Sequence, residues 1–146
     1  MSATVEQIYN WAIQLMDEAD PDTGAAQRAE NRDYFQRTPA ILTVLQAECY
    51  PFAQQWRAGE PGIRPVCPPL TGPQDTLSVD DGLCQGVLPY GLAAHLLLDE
   101  HPEMASYFAQ RYEELLQTLG RALPLAFRAI EPPYGGVERG EFARWL

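Results

Sequence analysis

Apolar residues near the start of the chain fall at Val5, Ile8, Ala12, Leu15 and Met16, with Tyr9 and Trp11 beside them. Steps of three and four place these side chains on one stripe of an α-helix. Thr4 and Gln7 have the spacing of a capping box, and Asp20-Pro21 followed by Asp22-Thr23-Gly24 supplies a stop. Together they predict a first helix over about residues 4 to 19. A second helical stretch is predicted from about Ala25 through Arg28, Asn31, Arg32 and Phe35 to Thr38-Pro39. There Thr38 either caps a new helix with Pro39 at its first position, or Pro39 kinks one continuous helix. Beyond it, Ile41, Leu45, Cys49, Phe52 and Trp56 form a stripe expected to face the core. Pro51 interrupts that stripe, because it lacks an amide donor and crowds the carbonyl of Ala47, and a bend is expected there.

Helix is ruled out between Arg57 and Asp75 by prolines at 61, 65, 68, 69 and 73. The segment reads either as an extended arm crossing a subunit surface, with a short pairing stretch around Ile63 to Val66, or as a plain surface loop. Asp80 and Asp81 announce the next helix, one as cap and one in the first turn. Leu83, Val87, Tyr90, Ala94 and Leu98 share a face, and Cys84, Leu88, Leu92, His95 and Leu96 lie beside it. So wide an apolar surface predicts a central helix covered on more than one side. Pro89, Gly91 and the pair Ala93-Ala94 predict a kink where another helix comes close. A last helix is predicted from Pro102 through Ala105, Phe108, Tyr112, Leu115 and Leu119, with Gly120 as its stop.

This pattern defines an all-α fold, a bundle of about four helices kinked at prolines, with a long proline-rich loop over residues 57–76. Residues 1–120 are expected to form the helical domain and 121–146 an extended C-terminal docking tail. That tail is rich in proline and glycine, and its Tyr134, Phe142, Arg144 and Trp145 are the residues expected to meet a partner.

Composition narrows the classes. At 146 residues with 46% hydrophobic content, the chain suits one domain that folds without metal or disulfide. Twenty acids stand against ten basic residues, all of them arginine, for a net charge of -10. Such a surface repels phosphate, which argues against wrapping or reading DNA but permits a wall along which DNA slides. Cys49, Cys67 and Cys84 have neither CxxC spacing nor a histidine partner in a metal-ligand pattern, and reduced thiols in a cytosolic compartment are expected. The opening residues read neither as an export signal nor as a membrane span.

Catalytic chemistry has few candidates. The acid pairs Asp17-Glu18, Asp80-Asp81, Asp99-Glu100 and Glu113-Glu114 are neighbours in sequence, and on a helix such neighbours point about 100° apart. Caps and solvated faces account for them. His95 and Asp99 have the i, i+4 spacing of a base held by a carboxylate. Cys84 falls in a helical first turn, where a thiolate would be stabilised. An enzyme would need His95, Asp99 and Cys84 to meet in an open cleft, and packing is expected instead. No phosphate loop, nucleophile elbow, zinc helix or dinucleotide fingerprint occurs, so no catalytic, cofactor-binding or metal-binding residue is assigned.

The run Asp80-Asp81-x-Leu83-Cys84-x-x-Val87-Leu88-Pro89-Tyr90-Gly91-Leu92-Ala93-Ala94-His95-Leu96-Leu97-Leu98-Asp99-Glu100, followed by Ala105-x-Tyr107-Phe108-x-x-Arg111-Tyr112-x-Glu114, resembles the head-tail adaptor proteins of tailed phages and prophages. The Tyr-Gly turn between Ile130 and Gly135 fits the same plan. The resemblance implies a structural, non-enzymatic virion protein at the head-tail junction, assembled in the host cytoplasm. Its partners would be the portal protein, a tail or stopper protein and further copies in a ring, commonly of twelve. Duplex DNA would pass through the channel without sequence-specific binding, and no cofactor or membrane is implied. The competing reading is a small acidic phage-encoded regulator or DNA mimic that binds one host partner.

Overall fold

The computed structural model describes residues 2–16, 32–53, 62 and 67–121, with side chains as far as Leu119. Among the described residues the fold is all-α, with five helices and no strand. They are α1 (Val5–Leu15), α2 (Arg32–Cys49), α3 (Asp81–Gly86), α4 (Leu88–Leu96) and α5 (Pro102–Arg121). A 3-10 turn, Tyr50–Phe52, extends α2. Helix α4 lies at the centre, packed most extensively on α5 and then on α1 and α2.

Each start and stop has a local cause. Thr4 and Gln7 close the expected capping box: the Gln7 amide donates to Thr4 Oγ1 and the Thr4 amide to Gln7 Oε1. The two remaining amides of the first turn go elsewhere, Val5 N donating to Asp75 O at 3.0 Å and Glu6 N to Pro73 O at 2.9 Å. Residues 67–80 therefore run over the start of α1, where an isolated antiparallel bridge joins Thr4 to Thr76. The expected pairing stretch at 63–66 lies outside the described residues, and the bridge falls ten residues later. Asp75 shapes this strap by accepting the amides of Thr71 and Gly72 and the Thr71 hydroxyl. Those donors hold its carboxyl below the usual range.

The alternatives at Pro39 resolve as one continuous helix, with Pro39 inside α2. Its core face differs from the expected stripe. Tyr34, Thr38, Leu42, Leu45, Gln46 and Cys49 are buried, whereas Ile41 and Phe52 are only half-buried and Trp56 lies outside the described residues. Counting apolar positions alone passed over Thr38 and Gln46, both fully buried with their polar atoms satisfied. Thr38 Oγ1 donates to Tyr34 O at 2.7 Å. The Gln46 amide nitrogen donates to Pro68 O at 3.2 Å, and its oxygen accepts Ser78 N at 2.7 Å. One buried side chain thus ties down both ends of the strap, so burying its amide carries no desolvation debt. The bend expected at Pro51 takes the form of the 3-10 turn.

The single helix expected from Asp81 to Leu98 is two. Val87, at φ -125 and ψ -52, separates α3 from α4, and Pro89 in the first turn of α4 has no amide for the Gln85 carbonyl. Asp80 caps α3 as expected, accepting Leu83 N. Leu98, assigned to the core face, is 61% exposed, because α4 has already ended at Leu96 and buried Leu97 takes the inward place. Gly120 does not stop the last helix, which includes Arg121. Ala105, Phe108 and Tyr112 are buried as expected, but Leu116 joins them while Leu115 and Leu119 are half-buried.

Helix α4 approaches α5 through Gly91. A Cβ at that position would lie 2.8 Å from Tyr112 Cδ2, 2.9 Å from Cε2 and 3.1 Å from Leu45 Cδ1. The ring cannot swing aside, since Tyr112 is buried and hydrogen-bonded to Cys49. Gly91→Ala should therefore cost about 1–3 kcal/mol by overpacking. Gly86→Ala, whose Cβ would meet only Leu119 at 3.4 Å, should be neutral or stabilise by up to about 1 kcal/mol. Urea denaturation of the two variants checks the pair, and equal stability would refute the close approach.

Candidate functional site

The four residues expected to meet a partner, Tyr134, Phe142, Arg144 and Trp145, lie outside the described residues, as does Asp17-Glu18. The other acid pairs can be placed. Asp80 caps α3 and Asp81 occupies its first turn. Asp99 and Glu100 are exposed in the turn after α4, where Glu100 accepts the Tyr34 hydroxyl and so fastens the turn to α2. Glu113 and Glu114 are exposed on α5, and Glu114 receives Arg111 at 3.1 Å and Gln110 at 3.2 Å.

His95 and Asp99 are both exposed, correcting the expectation that they would be packed. Position 95 is the outward side of an otherwise buried helix. Cys84 behaves as expected: fully buried, it donates to Val79 O at 3.5 Å. Burial pushes its thiol up to about 11, so it is a poor source of thiolate. Cys49 is also fully buried, 3.2 Å from the Tyr112 hydroxyl. Burial pushes that thiol up to about 12, the Tyr112 hydrogen bond opposing the rise. The Tyr112 hydroxyl is itself driven upward by burial and by Cys49 and Glu48. Among the described residues no group of three or more His, Cys, Asp or Glu could hold a metal ion, and no helix is long and apolar enough to cross a membrane.

Two surface features remain. One is an open groove of about 560 Å³ lined by Glu48, Phe52, Glu113, Glu114, Leu116 and Gln117. Phe52 and Leu116, half-buried and buried, are its apolar lining, and the exposed Glu48, Glu113 and Glu114 bring carboxylates to it. The other is a set of exposed apolar side chains near the α4–α5 turn, Leu98 within it and Met104 and Tyr107 at the start of α5, which are 61%, 43% and 57% exposed. Tyr107 meets Phe108 edge-on, ring centroids 5.4 Å apart, Phe108 leans on Tyr90 at 6.2 Å, and Arg111 sits 6.0 Å from the Tyr90 ring. The run from Tyr107 to Glu114 is thus divided between two faces of one helix. Phe108 and Tyr112 point inward, while Tyr107 is exposed and Arg111 and Glu114 lie at the surface. Sequence reasoning missed both features. Tyr107 and Met104 fall off the core stripe, a position that alone marks them as outward, and the groove combines side chains about 60 residues apart.

Comparison with family models, curated proteins and solved structures found no match.

The thiols make stability depend on pH in a definite direction. Cys49 and Cys84 ordinarily ionise at 9.0. Above that pH the unfolded chain releases these protons and the folded protein keeps them, which favours unfolding. Their contribution is intact below about pH 9 and is lost as pH rises toward about 11 for Cys84 and about 12 for Cys49. The urea midpoint should therefore fall above about pH 9, and Cys49→Ala should make that fall shallower even if it lowers stability overall. A midpoint equally steep in both proteins would contradict the assignment.

Proposed function

We propose that this chain is a structural subunit of a tailed-phage particle, a head-tail adaptor. Copies form a ring, twelve by the resemblance, between the portal and the tail or stopper protein and extend the DNA channel. The observation that carries the reading is the division of the motif helix. The inward residues of Tyr107 to Glu114 pack against Gly91 and Tyr90 of the Leu-Pro-Tyr-Gly-Leu-Ala-Ala-His-Leu helix, whereas Leu98, Met104 and Tyr107 are left outside. Aromatic residues, methionine and arginine are the types enriched in protein interfaces, and exposing them costs a free subunit solubility unless a neighbour covers them.

In the ring, the acidic surface repels the phosphates of passing duplex, so DNA slides without adhering. The exposed Asp99, Glu100, Glu103, Glu113 and Glu114 supply part of that charge. Tyr134, Phe142, Arg144 and Trp145 reach the portal or the tail protein. The subunit is made in the host cytoplasm and ends in the virion at the head-tail junction.

Mixing the purified chain with the portal protein of the particle it is proposed to belong to tests this. Electron microscopy should show an added ring on the portal, and Tyr107→Ala should weaken its assembly by about 30-fold or more, as loss of an interface anchor does. The unfolding midpoint of that variant should barely move, since the side chain is exposed. Portals that stay bare in excess adaptor would refute the proposal.

A further inference from the structure

The groove between α5 and the 3-10 turn lies toward the C-terminal end of α5. Its lining residues Glu113, Glu114, Leu116 and Gln117 precede Arg121 by one to two helical turns, roughly 6–12 Å of helix. Twenty-five further residues follow Arg121. They include Phe142-Ala143-Arg144-Trp145-Leu146, a run that has one guanidinium between aromatic side chains and no acidic side chain.

We infer that this groove is the docking site for residues 142–146 of the same chain in the free subunit. The apolar lining of Phe52 and Leu116 would receive the aromatic side chains, and the exposed lining carboxylates would receive Arg144. Glu114 already holds Arg111 and Glu48 is hydrogen-bonded to Tyr112, so Glu113 is the carboxylate with the freest oxygens and Glu48 adds its charge beside it. The groove's volume, about 560 Å³, falls within the ~300–1,000 Å³ of sites that enclose a small ligand. The twenty residues between Arg121 and Phe142 can span up to about 70 Å, well beyond the distance from Arg121 to the groove. Attachment makes docking intramolecular, at an effective concentration in the millimolar range, so two exposed charge pairs and a modest apolar contact suffice. The inference does not depend on the ring reading, because it concerns the subunit before any partner arrives.

The test uses the full chain, uniformly labelled with nitrogen-15, carrying Cys67→Ser and a nitroxide on Gly140→Cys; Cys49 and Cys84 are buried and stay unlabelled. In dilute solution the backbone amides of Glu48, Phe52, Glu113 and Gln117 should lose at least about half their intensity relative to the reduced label. Arg144→Gln or Glu113→Gln should each lower the docked population by about two- to fivefold, with Glu48→Gln doing the same. The spectrum itself reports whether each variant is folded. Groove amides unaffected by the label would overturn the inference. So would broadening confined to mixtures of nitrogen-15 chains with separately spin-labelled ones, which would assign the groove to a second copy. Broadening indifferent to Arg144 and Glu113 would also overturn it.

Discussion

A helix that is apolar on nearly every side cannot be left at a surface. Leu88, Pro89, Gly91, Leu92, Ala93, Ala94 and Leu96 are all buried, and in α4 only His95 reaches solvent freely. That requirement organises the rest of the molecule. Three longer helices must each give α4 an apolar face, and the one on α5 comes close enough to need a glycine opposite Tyr112. The hydrophobic driving force is ordinary in kind, about 25 cal/mol for each Å² removed from water. Its concentration on nine residues is what makes this helix the hub.

Once the hub is fixed, polar groups settle where they can be satisfied. Tyr112 reaches past Gly91 to Cys49, and Gln46 and Thr43 reach from α2 to the strap that crosses the start of α1. The proline-rich connection therefore closes in an ordered strap from residue 67 onward, supplying carbonyls to amides that α1 could not satisfy itself. What faces outward is equally specified. Leu98 in the α4–α5 turn and Met104 and Tyr107 in the first turns of α5 are exposed, and the far end of α5 borders a groove lined by apolar and acidic side chains. On this account the molecule works through surfaces. Of the three thiols Cys49 and Cys84 are sealed in the core and Cys67 is half-buried, while His95 and His101 are both exposed.

Much of the fold was legible because helix signals are local. The capping box at Thr4, the Asp80 cap and the 3.6-residue period of α5 each rest on residues within a turn or two of one another. The core face of α2 was misread because Thr38 and Gln46 are buried through partners at residues 34, 68 and 78, and no apolar pattern encodes such partners. The break at Val87 was placed only as a kink, since Pro89 marks a lost hydrogen bond without saying whether the helix bends or ends. Of the acid pairs that can be placed, Asp80 is the expected cap and Asp99, Glu113 and Glu114 are exposed as expected, whereas Glu100 also accepts the Tyr34 hydroxyl. The groove and the exposed apolar set were hidden because each forms only when α5 packs. The motif that resembles phage adaptors coincides with the α3–α5 core, so its inward residues answer to packing and only its outward ones carry information about partners.

Native-state hydrogen exchange tests the central claim most directly. If α4 is the hub, the amides of Leu92 to Leu96 should exchange only through global unfolding, with an opening free energy equal to that from denaturant titration and the same dependence on urea. If instead they exchange through a smaller, urea-insensitive opening while α1 or α2 retains full protection, the fold does not depend on α4 and the account fails.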